Sequence, residues 1–164
     1  MIRFAAALAL TIAAASNVAL AGTPCPAPSA TPNPVPVKIA APKATLALRV
    51  ANTWATREYG LMCVRELAPH TGMIFVFSAV DQSQPFWMKN TLIPLDMIWV
   101  RKSGDVSHVE ANVPATTTDT PDVAIPNRLG VGTYVIELAG GEAALAGIVP
   151  GTHLDVSHVG PSKD

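Results

Sequence analysis

"PFWMKNTLIPLDMIWV", residues 85–100, sets Lys89, Asn90 and Asp96 among side chains that otherwise read as buried core. Residues 86–88 and 95–100 are apolar on both of a strand's alternating faces, the pattern of a strand covered on two sides rather than one lying on a wet surface. Residues 73–77 repeat that pattern. Such strands belong to the middle of a layered β structure.

Working outward, residues 45–50 alternate, with Leu46, Leu48 and Val50 on one face and Ala47 and Arg49 on the other, as a half-buried strand does. Thr53 is placed to cap a short helix over residues 54–59, with Trp54, Glu58 and Leu61 at helical spacing and Gly60 ready to end it. Ser103-Gly104-Asp105 is turn chemistry that joins the strand ending at Val100 to another over residues 106–111 in a hairpin. Residues 114–132 carry Thr, Asp, Pro, Asn and Gly with little periodicity and read as a long loop. A strand over 134–138, a helical turn over 142–146 closed by Gly147, a turn at Pro150-Gly151 and a last strand over 154–159 complete the chain. The fold class expected is mainly β, an antiparallel sandwich or partly closed barrel of about seven short strands with one or two short helices.

The ends are of different composition. Residues 1–21 open with Arg3, run through an apolar stretch and finish in Ala19-Leu20-Ala21, as a secretory signal peptide cleaved after Ala21 does. The apolar run is shorter than the ~20 residues of a spanning helix, so the mature chain has no expected transmembrane segment and is expected in the periplasm or secreted. Gly22, Thr23 and Pro24 separate that cleavage point from Cys25, which argues against a lipid anchor. Residues 22–42, rich in proline and alanine, lack the apolar side chains that offset ordering entropy and read as a disordered tether. A single β domain is expected over 43–159, with a disordered tail over 160–164. A formal net charge of -1 gives no reason to expect nucleic acid or an anionic membrane as partner.

The strings Gly60-Leu61-Met62, Gly72-Met73, Phe86-Trp87-Met88-Lys89-Asn90-Thr91, Ile93-Pro94-Leu95-Asp96 and Tyr134-Val135-Ile136-Glu137-Leu138, with Arg65, Phe75 and Phe77, resemble the bacterial and archaeal family called domain of unknown function 192. The resemblance spans residues 45–156 and implies a compact, mostly β, frequently exported domain, with no established reaction, cofactor or catalytic residue to carry over. Two positions depart from the family's pattern: Cys63 follows Gly-Leu-Met, and Gly151-Thr152 stands where Gly-Asp is usual, which removes a carboxylate.

Two readings of the polar trio follow. A carboxylate with apolar same-face neighbours, as Asp96 has in Ile98 and Val100, must find donors. In the scaffold reading, Asp96 accepts amides of the Ile93-Pro94 turn while Lys89 and Asn90 bond across strands. In the pocket reading, Trp87 is a flat wall and Lys89, Asn90, Thr91 and Asp96, with Arg65, orient a small polar ligand. Cys25 and Cys63 either pair, pinning the tether to the domain, or stay as separate thiols.

Candidate catalytic and metal residues are few. His70, His108, His153 and His158 show no nucleophile or metal-ligand spacing, so no catalytic residue, metal or cofactor is expected. Met62, Met73, Met88 and Met97 with Cys63 and His70 form a soft-ligand set, but they lie in segments that read as core. The function expected is an exported, non-enzymatic binding or accessory module of the cell envelope, its partner a small polar ligand or an envelope protein. The alternative is a small enzyme or ligand-binding protein acting on an envelope substrate such as a carbohydrate through Lys89, Asn90 and Asp96.

Overall fold

Alternating burial organises the molecule. The computed structural model describes residues 23–33, 35–77 and 80–164; the leader read over residues 1–21 lies outside them. In chain order the elements are β1 (Val37–Ala40), β2 (Thr45–Ala51), α1 (Trp54–Tyr59), β3 (Thr71–Val76), β4 (Gln82–Trp87), β5 (Leu95–Val100), β6 (Val106–Val113), β7 (Asn127–Gly132), β8 (Tyr134–Ala139) and α2 (Glu142–Leu145). A six-stranded sheet runs β1-β2-β3-β8-β5-β6, and β4 with β7 makes a separate two-stranded ribbon. Within the large sheet only β2 and β3 are parallel, joined by the crossover that contains α1. The class is mainly β, sandwich-like, and the sheet does not close into a barrel.

Successive side chains of a strand face opposite ways, so the large sheet buries two layers. One face carries Leu46, Leu48, Ile74, Ile98 and Ile136, covered by Ala143 of α2, by Ala146 that caps it and by Leu154 and Val156 of the C-terminal segment. The other carries Met73, Phe75, Met97, Trp99 and Val135, covered by Phe86 and Met88 and by Leu61 after α1. This double cover is why β3 and β5 read as apolar on both sides, and β8 between them shares it. β4 differs from that expectation: only Gln84 and Phe86 are buried in it, because the ribbon lies on the sheet with its other side in water.

Three stretches fold otherwise than their composition suggests. Residues 37–40, inside the range read as tether, form β1, since a fully buried Ile39 and pairing with β2 are enough to hold four residues of an edge strand. The ordered domain therefore begins six residues before Lys43. Residues 154–159, read as a strand, supply buried Leu154, Val156 and Val159 but only a single bridge nearby, between Asp105 and His153. Residues 160–164, read as a disordered tail, dock on α1: Trp54 donates its amide to the Asp164 carboxylate at 3.1 Å and Arg57 pairs with it at 2.8 Å.

β7 lies inside the range read as a loop. Its pattern is inverted: Leu129 and Val131 face water, while Gly130 and Gly132 face inward. Glycine is needed at 130 because the Trp99 indole lies against its backbone, and a Cβ there would stand 2.3 Å from that ring. The indole is held by its Nε1 donating to the Gln84 carbonyl at 2.9 Å. Gly130→Ala should push the ribbon off the sheet and cost about 1–3 kcal/mol. Urea unfolding with the near-ultraviolet tryptophan signal as readout checks this; an unchanged midpoint would rule it out.

Candidate functional site

The polar trio does not converge. β4 ends at Trp87, and the chain then turns through Asn90, whose φ of 52° is left-handed, so the strand alternation stops there. The turn is clamped: Thr91 donates its amide to the Met88 carbonyl at 3.1 Å, the Thr116 hydroxyl donates to the same carbonyl, and the Thr116 amide donates to Thr91 at 2.8 Å. Asn90 accepts the Cys63 amide at 2.8 Å and lies with its Nδ2 3.8 Å from the Met62 sulfur. Lys89 turns outward, its Nζ 3.2 Å from Asp122 and 5.2 Å from the centre of the Trp87 ring. Arg65 is exposed and lines no part of the cleft described below.

Asp96 is fully buried on the opposite face of the sheet from that turn's methionine. Its Oδ1 accepts amides from Asn112 at 2.7 Å and Gly141 at 3.0 Å, and its Oδ2 accepts the Ala143 amide at 2.8 Å. None of these donors belongs to the Ile93-Pro94 turn; they come from β6 and from the start of α2. The cap residue of α2 is Gly141, which has no side chain to satisfy the first amides, and Asp96 does so from β5. Lys89 and Asp96 share no partner.

A different site opens between α1 and the ribbon. Thr53 and Thr56 form a reciprocal capping box that starts α1, and Gly60, at φ 49°, ends it so close to Phe75 that a Cβ would lie 3.1 Å from the ring. That approach makes one wall of a cleft of about 350 Å³, with Trp54, Tyr59 and Met62 on the α1 side and Pro85, Phe86 and Trp87 on the other. Phe75, Phe77 and Glu137 also line it. Phe86 meets Phe75 and Phe77 edge to face, at centroid distances of 4.9 and 5.9 Å.

Glu137 is the unusual residue. The alternation of β8 puts it on the same face as Val135, between Met73 of β3 and Met97 of β5 in register. It is 4% exposed. Among the described residues its carboxyl has no ion pair, and burial alone pushes its pKa up to about 8. The cations at the rim are engaged elsewhere. Arg57 stacks on Phe77 at 5.1 Å and donates to the Val76 carbonyl at 3.0 Å besides pairing with Asp164.

The Cys25–Cys63 disulfide, with Cα atoms 6.0 Å apart, straps residues 23–27 beside this cleft. Tyr59 donates its hydroxyl to the Pro26 carbonyl at 3.2 Å, and at the far end Thr23 donates its amide to Asp119 at 3.0 Å. Pro26 and Ala27 line an adjoining hollow of about 300 Å³ that shares Tyr59, Met62, Trp87 and Lys89 with the main cleft. Of the candidate soft ligands, Met73, Met88 and Met97 are fully buried in the core, and Cys63 is in the disulfide. Of the residues expected to bind, Trp87, Lys89 and Thr91 line the cleft and Asn90 the adjoining hollow. Glu137 was the residue missed; the signal was the same one that marks Asp96, a lone carboxylate in an apolar strand.

The DUF192 family model, described as "Uncharacterized ACR, COG1430", matches residues 36–156. Two solved structures are similar. One is a protein of unknown function from Novosphingobium aromaticivorans, 32% identical over 82% of this chain and 99% of that one, with a TM-score of 0.58. The other is from Sinorhizobium meliloti, provisionally described as a transcription regulator, 30% identical over 72% of this chain and 89% of that one, with a TM-score of 0.57. No curated protein matches. No helix among the described residues is long and apolar enough to cross a membrane.

Proposed function

The chain belongs to the DUF192 family, and we propose that it is an exported, non-enzymatic binding module of the cell envelope whose ligand sits in the cleft between α1 and the β4–β7 ribbon. The observation that carries this reading is Glu137, a buried carboxyl with no ion pair among the described residues, at the lining of a cleft rich in aromatic side chains. A carboxyl held almost out of water at the lining is a hydrogen-bonding group that a ligand filling the cleft meets directly. The cleft lies at the lower end of the roughly 300–1,000 Å³ typical of small-ligand sites.

A single carboxyl raised by burial is the group the binding reading needs, a neutral donor and acceptor at the lining of the cleft. Export is supported by the disulfide, a bond that persists in oxidising compartments, and by the leader-like composition of residues 1–21. A nucleic-acid partner is not part of the proposal, since the formal net charge is -1.

One preparation tests both halves. Protein recovered from the periplasmic fraction should have the mass of a chain starting at Gly22 with its disulfide intact. The same material, isotope-labelled and titrated with a library of small apolar and polar fragments, should show amide shifts centred on Leu61, Met62, Phe75 and Glu137. A mass that retains residues 1–21 would overturn export, and fragments that bind only elsewhere would overturn the site.

A further inference from the structure

We propose that the ligand of this cleft is an uncharged saccharide ring, stacked between Trp54 and Trp87 and hydrogen-bonded at its inner edge to Glu137. This rests on the cleft being the binding site and goes further by naming what it takes. Three observations select the class.

The first is charge. Both cations of the lining are already neutralised within the protein, Arg57 by Asp164 at 2.8 Å and Lys89 by Asp122 at 3.2 Å. An anionic ligand gains less from cations that already have partners, above all from Arg57, whose side chain is 15% exposed. A cationic ligand would have to displace Arg57 from the Phe77 ring or Lys89 from one face of Trp87, which they hold at 5.1 and 5.2 Å, to gain the same contact. Glu58, also at the lining, is exposed and solvated by water. A neutral ligand has no pair to break and takes the face of Trp87 opposite Lys89.

The second is exposed aromatic surface. Trp54 is 64% exposed and Trp87 45%, and both line the cleft, one from α1 and one from β4. Tryptophan left in water on both sides of one hollow is a flat apolar surface awaiting a flat apolar partner. The carbon–hydrogen faces of a pyranose ring are such a surface, while its edge carries hydroxyls.

The third is the hydrogen-bonding character of the inner lining. A neutral carboxyl offers one O–H donor together with acceptor oxygens, which is the complement of a hydroxyl group that must both give and take. The adjoining hollow bounded by Pro26 and Ala27 continues the groove beyond one ring, so a sugar at the end of a chain has room to leave along the strap. A free monosaccharide and the terminal ring of a glycan present the same chemistry to the inner site.

The test uses the disulfide-bonded mature chain and tryptophan fluorescence with calorimetry. The neutral probes are glucose, galactose, mannose and N-acetylglucosamine; glucosamine is the cationic probe, glucuronic acid the anionic one, and chitotetraose the chain-end probe. At least one neutral sugar should bind saturably, and glucosamine and glucuronic acid should bind more weakly. Tighter binding of chitotetraose than of N-acetylglucosamine assigns the site to glycan ends; equal binding assigns it to free sugars. Trp87→Ala should weaken binding at least about tenfold. Glu137→Gln, which keeps a neutral donor and acceptor, should stay within about threefold, whereas Glu137→Leu should lose about tenfold or more. Charged sugars binding best, or fragments that occupy the cleft while every neutral sugar fails, would overturn the saccharide inference and leave the binding reading standing. Failure of sugars and fragments alike to perturb the cleft would overturn both.

Discussion

Asp96→Ala should lower the unfolding free energy by about 3–5 kcal/mol, while Lys89→Ala changes it by less than about 1 kcal/mol. The aspartate is fully buried and accepts three backbone amides, those of Asn112, Gly141 and Ala143. Alanine leaves all three without that acceptor, and each unsatisfied buried group costs about 1–3 kcal/mol. Two of the amides start α2, which covers one face of the large sheet through Ala143 and Ala146, so the damage spreads to packing. Lys89 is in a different situation. Its pair with Asp122 has side chains 33% and 76% exposed, and water replaces that contact readily. Urea unfolding of both variants at neutral pH measures the contrast. A near-neutral Asp96→Ala would show that α2 holds without its cap, and a large loss for Lys89→Ala would couple two residues that the structure separates.

The second large effect is on pH. Glu137 titrates at about 8 in the folded protein and near its ordinary value of 4.5 in the unfolded chain. Below 4.5 both states hold the proton, and folding carries no cost from this group. Between the two values the unfolded chain releases the proton and the folded protein keeps it, so stability falls as pH rises, approaching about 1.4 kcal/mol per pH unit. The fall ends where the folded carboxyl ionises, having reached roughly 5 kcal/mol at most. The exposed acids Asp105, Asp119 and Asp155 are held below the usual range chiefly by hydrogen bonds from His153, Thr23 and Ser157, so they act in more acidic solution, and the difference between the native and Glu137→Gln curves isolates Glu137. Urea unfolding at pH 5, 6, 7 and 8 should give a declining curve for the native protein and a flatter one for Glu137→Gln, with the variant the more stable at pH 8. Parallel curves would mean that the carboxyl is solvated in the folded state.

The local signals were legible because each depends on neighbours in sequence. Leu46, Leu48 and Val50 mark a half-buried strand wherever the chain goes, and Thr53 with Gly60 bounds α1 by side-chain and backbone chemistry within one helical turn. The apolar runs of β3 and β5 announced a sheet covered on both faces, and the Ser103-Gly104-Asp105 turn announced the β5–β6 hairpin. That a buried Asp96 must find donors also follows from its surroundings in the chain.

Which donors it finds is a matter of three dimensions. The amides that satisfy Asp96 lie 16, 45 and 47 residues away, and no local pattern names them. β7 was illegible for the same reason: its inward positions are glycines, and glycine reads as a loop until the Trp99 ring that requires it is in place. β1 was hidden because one buried isoleucine and pairing to a neighbour outweigh the composition of the segment around it. The bond between Cys25 and Cys63 needed the strap and the turn after α1 to bring two Cα atoms within 6.0 Å. Most consequential, Glu137 and Asp96 are the same kind of residue in the same kind of strand. Among the described residues the fold delivers three amides to Asp96 and no ion pair to Glu137, because α2 begins over one face of the sheet, while over the other α1 and the ribbon leave a cleft.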